Sequence, residues 1–173
     1  MSAVKRLFLV GPMGAGKTTI GKMLADELHL EFADVDREIE SRSGVDIPWI
    51  FDKEGEAGFR LRESAALKEL SALDGVLIST GGGAVMSAEN RRLMSTCGIV
   101  IYLHTSVEEQ VRRTSRDRKR PLLQNDDPAA VLAQLMQVRE PLSREVAAII
   151  VDTDGRGPKV VAQDLAERLR QLG

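Results

Sequence analysis

Gly11-Pro-Met-Gly14-Ala15-Gly16-Lys17-Thr18 satisfies the spacing G-x-x-x-x-G-K-[ST] in full. It follows the apolar run Leu7–Val10 and precedes an amphipathic segment, the context in which that spacing binds phosphate. Glycines let backbone N–H groups turn inward around an anion, and a helix opening near Lys17 adds the positive end of its dipole. The cradle runs through Gly14, Ala15, Gly16, Lys17, Thr18 and Thr19. In such a loop the lysine reaches the β- and γ-phosphates and the Thr18 hydroxyl ligates Mg²⁺. The loop implies a nucleotide without naming a reaction. A GTPase needs a guanine-reading Asn-Lys-x-Asp segment, which this sequence lacks. The nearest match to an apolar strand ending in a Mg-directed acid is Ala148–Asp152, in the last candidate strand and so out of place. The short chain favours a small-molecule kinase.

Three features stand on the acceptor side. Asp34-Val-Asp36 follows the second candidate strand. Carboxylates two apart on extended backbone point to one side and, at the carboxyl end of a parallel strand, face the ligand crevice. The same pair also reads as an N-cap and a first-turn acid favoured by the helix dipole, and the residues alone leave both readings open. Thr80-Gly81-Gly82-Gly83 ends another strand. Three glycines carry an entropic cost and suggest backbone approaching a ligand, with a plain loop as the alternative. Arg60, in Gly58-Phe59-Arg60, and Arg139, before Glu140-Pro141, are guanidinium forks suited to a carboxylate. Singly, each is more often a solvated surface residue.

These groups need a scaffold, and the pattern of the chain supplies one. Short apolar runs alternate with segments of helical period, the mark of a parallel α/β sheet. Strands are expected at Leu7–Val10, Glu31–Ala33, Val76–Ser79, Ile99–Leu103 and Ile149–Val151. Helices are expected at Lys17–Leu28, with Ile20, Met23, Leu24 and Leu28 inward, and at Glu56–Leu73, with Phe59, Leu67 and Leu70 inward. Ser106 with Glu109 forms a capping-box pattern. Asp127-Pro128 opens a helix through about Val138, and Pro158 opens the last one. The 173 residues make one domain, with the basic stretch 112–127 as a candidate lid.

Net charge is −2, with acids and bases interleaved, which gives no general reason to bind nucleic acid or an anionic membrane. The basic run Arg112–Arg120 contains no aromatic residue for stacking, against a nucleic-acid patch. No apolar stretch approaches membrane-spanning length, no signal-peptide pattern opens the chain, and a lone Cys97 fits a reducing compartment. A cytoplasmic monomer is the expectation.

Six motifs in order and spacing resemble shikimate kinase: Gly11–Thr19, Asp34-Val-Asp36, Gly58-Phe59-Arg60, Gly81-Gly82-Gly83-Ala84, Arg120-Pro121-Leu122-Leu123 and Arg139-Glu140-Pro141-Leu142. The resemblance runs from about Leu7 to the C-terminal helix. It implies an α/β P-loop kinase fold of the nucleoside-monophosphate-kinase type: three layers, a five-stranded parallel sheet, a helical substrate-binding subdomain at about 34–61 and a lid at about 112–127. It implies transfer of the ATP γ-phosphate to the 3-hydroxyl of shikimate, with Mg²⁺. On this resemblance Asp36 holds ring hydroxyls and assists proton removal, and Asp34 supports the Mg²⁺ shell through water. Arg60 and Arg139 grip the substrate carboxylate, and Gly82 donates a backbone N–H. Arg120 closes over the transferring phosphate, while Arg113 and the Arg156–Pro158 loop pack the adenine. Ser143 stands where many relatives have Tyr, a departure read as peripheral. Pro48 is tolerable if Asp46 caps its helix, and Trp49 is expected to report substrate binding. The rivals are a gluconate or nucleoside-monophosphate kinase, and an ATP-binding module without catalysis. Against them stand the Thr18-Thr19 pair, the scarcity of base-stacking aromatics, and the intact set Lys17, Thr18, Asp36 and Arg120.

Overall fold

Leu7, Phe8, Leu9 and Val10 have no exposed surface. They form the centre of β1 (Arg6–Val10), a strand buried on both faces, in a computed structural model that describes residues 5–115 and 127–172. The other strands are β2 (Glu31–Asp34), β3 (Val76–Ser79), β4 (Ile99–His104) and β5 (Ile149–Asp152), each within a residue of its expected bounds. All pair in parallel, in the order β2-β3-β1-β4-β5. The chain therefore leaves β1 toward one edge and later returns to build the other. The crevice at the carboxyl ends beside β1 is where ligands bind in such sheets.

Alternation along the strands feeds two cores. Leu7, Leu9, Leu77, Ile101 and Val151 pack with α1 (Lys17–Glu27) and α7 (Pro158–Leu172) on one face. Phe8, Val10, Ile78, Val100 and Tyr102 pack on the other face with α2 (Val35–Ser43), α3 (Ile47–Leu70) and α4 (Ala88–Cys97). Two further α-helices among the described residues are α5 (Val107–Thr114) and α6 (Pro128–Val146). Among the described residues no helix is long and apolar enough to cross a membrane.

Several sequence expectations need correction. Met23 is 39% exposed, and Gly21 and Ala25 take the inward positions of α1 beside Ile20 and Leu24. A Cβ on Gly21 would stand 2.7 Å from Phe32, so the bare backbone lets α1 lie close to the sheet. The helix expected from Glu56 is the second half of α3, which starts after the break at Gly55 and ends at Leu70 rather than Leu73. The first half opens at Ile47, where Asp46 caps it by accepting from the Trp49 N–H at 3.0 Å. α6 passes Val138 and tolerates Pro141 internally, despite the lost N–H. Leu142 and Val146 are packed against the core beyond it, and that burial carries the helix onward. Ser106 does cap α5, accepting from the Glu109 N–H at 3.2 Å. The reciprocal half of the box is absent: Asp154 takes the Ser106 N–H, and the Glu109 carboxylate turns to Arg112 and Arg113.

Candidate active site

The phosphate loop leaves β1 and turns into α1 through Gly16, whose φ of 85° is a left-handed conformation suited to glycine. No side chain caps α1, and the residues at its start, Gly16 to Thr19, line the loop cavity. Lys17 lies folded over the loop, its Nζ donating to the carbonyls of Gly11 at 2.7 Å and Pro12 at 2.9 Å. A cavity of about 280 Å³ opens here, lined by Gly14, Gly16, Lys17, Thr18, Thr19 and Arg113 among others. Ala15 is fully buried, which leaves its backbone as the part able to meet a ligand. Arg113 reaches the site from α5. Its Nη1 donates to the Gly14 carbonyl at 2.9 Å and its Nη2 to the Thr153 carbonyl at 3.1 Å, joining the loop to the segment after β5.

Asp34 answers the question its spacing left open, because it performs both tasks. Its Oδ1 caps α2, accepting from the N–H groups of Asp36 at 2.9 Å and Arg37 at 3.3 Å. Its Oδ2 faces the Thr18 hydroxyl at 3.4 Å. The backbone premise was wrong in one respect: α2 begins at Val35, so Asp36 sits in a first helical turn rather than on extended chain. Both carboxylates still reach the crevice.

On the other side of them lies a cavity of about 450 Å³. Asp34, Asp36, Gly81 and Gly82 line both cavities, so the two chambers meet along these four residues. The three glycines explain themselves by what crowds them. A Cβ on Gly81 would stand 3.1 Å from Glu63 Oε2 and 3.3 Å from Asp36 Oδ1. One on Gly82 would meet Arg139 Nη1 at 3.3 Å, and one on Gly83 would lie 2.6 Å from Arg60 Cζ. Each glycine thus seats a charged side chain at the cavity wall. Arg60 and Arg139 line the same chamber from α3 and α6. Burial, and then the neighbouring Arg60 cation, push the Arg139 guanidinium below its ordinary pKa. Two cations held together in this way favour an anion between them.

Glu63 was not foreseen. It is 1% exposed, one helical turn from Arg60, and its Oε1 accepts from Arg60 Nη1 at 2.9 Å. Burial pushes its carboxyl above the usual range against the pull of Arg60, and the charge of Asp36 pushes it further. A signal was present: Glu63 interrupts a face whose other members, Phe59, Ala66, Leu67 and Leu70, are buried apolar residues. Ser143 lines neither of the two chambers, in keeping with its reading as peripheral. It is buried one turn beyond Arg139 and lines a pocket of about 20 Å³ with Arg139, Gly82 and Tyr102. Trp49 is 45% exposed and does not line the acceptor chamber, although Pro48 and Phe51 do. Arg156 donates to the Asp152 carbonyl and pairs with Asp164, each at 3.4 Å, beside the Thr153 carbonyl that Arg113 holds. Arg120 and most of the candidate lid fall outside the described residues.

A sequence profile of the shikimate kinase family matches residues 13–170. The shikimate kinase of Pseudomonas paraeruginosa strain PA7 is 60% identical over 166 residues, 96% of each chain. That of Pseudomonas entomophila strain L48 is 59% identical over 169 residues, 98% of each. Among solved structures, shikimate kinase from Acinetobacter baumannii in complex with shikimate superposes with a TM-score of 0.95 at 47% identity. The match covers 98% of this chain and 94% of that one.

Proposed function

The chain belongs to the shikimate kinase family, and on that footing we propose that it moves the γ-phosphate of ATP onto the 3-hydroxyl of shikimate where its two chambers meet. ATP is the phosphoryl donor and shikimate the acceptor. The observation that carries the assignment of sites is the shared wall: Asp34, Asp36, Gly81 and Gly82 face a phosphate cradle on one side and a two-arginine chamber on the other.

Arg60 and Arg139 bind the shikimate carboxylate, which fixes the ring with its hydroxyls toward Asp36, and the Gly82 N–H adds a donor at the seam. Glu63 holds the Arg60 fork through its 2.9 Å bond. Asp36 orients the 3-hydroxyl and accepts its proton as the oxygen attacks phosphorus. The bond from the γ-phosphorus to the β,γ-bridging oxygen breaks and ADP leaves. Positioning and charge neutralisation dominate such a transfer. Lys17 supplies positive charge at the β- and γ-phosphates, the N–H groups from Gly14 to Thr19 cradle them, and Arg113 and Arg156 flank the nucleotide. Thr18 and Asp34 together offer a hydroxyl and a carboxylate oxygen beside the cradle, a hard-oxygen pair that fits Mg²⁺ with water and phosphate as its other ligands. When bound, the ion neutralises charge on the phosphates. Arg120 is assigned to the transferring phosphate by resemblance alone. Residues 34–61 serve as the substrate-binding subdomain and 112–127 as the lid of this single domain. We place the protein in the cytoplasm as a monomer without nucleic-acid or membrane partners, a reading supported by the balanced charge and the single cysteine.

A coupled ADP-release assay across shikimate, gluconate and nucleoside monophosphates tests the reaction, and no ADP above background with shikimate would sink it. Arg60→Lys tests the carboxylate clamp. Loss of the fork should raise the shikimate KM by about tenfold, and an unchanged KM removes Arg60 from that role.

A further inference from the structure

Gly58 opens the Gly58-Phe59-Arg60 motif, yet the phosphoryl transfer makes no use of it. Its surroundings do. A Cβ there would stand 2.5 Å from the Glu54 Cβ and 3.1 Å from Glu54 Oε1, so the glycine admits the Glu54 side chain against the helix. Glu54 is the last residue before the break in α3. Gly55 has φ 72° and ψ 179°, a conformation open only to glycine, and a Cβ on it would meet nothing within 4 Å. Gly55 is therefore present for its backbone, and Gly58 for the space it leaves.

The break divides the acceptor chamber. Ile47, Pro48 and Phe51 line it from the first half of α3, and Phe59, Arg60 and Glu63 from the second. The angle at Gly55 thus sets the distance between the two walls. Two contacts span the break on its two sides. Inside, the Phe51 and Phe59 rings lie 4.8 Å apart. Outside, Arg62 grips Glu54 with a full fork, Nε to Oε1 at 2.8 Å and Nη2 to Oε2 at 2.7 Å. Arg62 stands about 200° around the helix from Arg60, so one arginine faces the chamber while the other braces the outside of the bend.

We propose that the Glu54–Arg62 fork, seated on Gly58, is a strut that holds the bend of α3 and thereby sets shikimate affinity from outside the site. Both are positioning residues, since neither lines the chamber. The pair is partly exposed, with side chains 31% and 39% accessible, so the effect of removing it is bounded by what such a pair contributes. The inference rests on the two-arginine chamber being the shikimate site, and Arg60→Lys, run in parallel, tests that premise separately.

The test is steady-state kinetics on the full chain with Arg62→Ala, Arg62→Lys and the charge-exchanged pair Glu54→Arg/Arg62→Glu. Arg62→Ala should raise the shikimate KM about three- to fivefold, with kcat and the ATP KM within about twofold of the parent. Arg62→Lys, which keeps the charge without the fork, should fall between, and it serves if the alanine variant does not fold. The exchanged pair should return the KM most of the way. The shikimate-induced change in Trp49 emission should shift to higher shikimate in step with KM, because Trp49 rides on the first half of α3. A shikimate KM unchanged in both Arg62 variants overturns the strut, whatever happens to thermal stability. A raised KM that the exchanged pair fails to lower overturns it as well. If Arg60→Lys raises KM and the Arg62 variants do not, the chamber assignment stands and only the strut is lost.

Discussion

Glu63→Gln isolates the contribution of a buried acid that never needs to touch the phosphate. The substitution keeps the shape of the side chain and removes one charge from the chamber wall. Arg60 then loses a charge-assisted partner at 2.9 Å, while its bond to Glu56, at 3.4 Å, remains. A hydrogen bond to a charged group contributes about 1.5–3 kcal/mol. Arg60 is 25% exposed and retains a second acid, so the lower part of that range applies, about 1.5–2 kcal/mol. Expressed in kcat/KM for shikimate, this is a fall of about ten- to thirtyfold. The pH dependence adds a second, independent signature. Burial raises the Glu63 carboxyl above its ordinary value of 4.5. A group with a raised folded pKa gives its full stability below the unfolded value and loses it as pH rises through the folded one. Glutamine cannot titrate. The stability of Glu63→Gln relative to the parent should therefore rise with pH across that window, while its relative activity falls. Chemical-denaturation midpoints and kcat/KM, both stepped from pH 4 upward at constant ionic strength, separate the two curves. A variant within about twofold of the parent kcat/KM at neutral pH would refute the claim that Glu63 holds the clamp.

Asp36→Asn should lower kcat by about a hundredfold or more under saturating shikimate, and near-normal kcat would remove Asp36 as the proton acceptor. Glu109 carries a different, purely structural prediction. Arg112 first, and Arg113 next, hold its carboxyl down to about 2, so its contribution is present above the ordinary 4.5 and fades as pH falls toward 2. Denaturation midpoints of Glu109→Gln should accordingly converge on those of the parent between pH 4.5 and 2, and parallel curves would exclude the pairing.

How much of this was legible in the sequence follows from how local each signal is. The phosphate loop could be read outright because its requirements are contiguous: glycines where the backbone turns, Lys17 and Thr18 where a helix begins. Strands β1, β3 and β4 could be read because each is a short run buried on both faces. The acceptor side could not be read in that way. Asp34 looked ambiguous because a cap and a crevice ligand use the same side chain at the same position, and only the fold shows its two oxygens taking one task each. The triple glycine gave a location without a reason, since the side chains that crowd it come from α2, α3 and α6, up to 57 residues away in sequence, as with Gly82 and Arg139. Glu63 was missed for the same cause: a buried polar residue on an apolar helical face becomes interpretable only when its partner, here Arg60, is known. Chemistry carried by a loop is written in consecutive residues, whereas chemistry carried by a chamber is written in convergence. The Glu54–Arg62 fork lies at the far end of that scale, where the sequence offers an ordinary acid and an ordinary base eight residues apart. Their significance arises from Gly55 bending the helix between them, so the bend is where substitutions in distant-looking surface residues should register as substrate affinity.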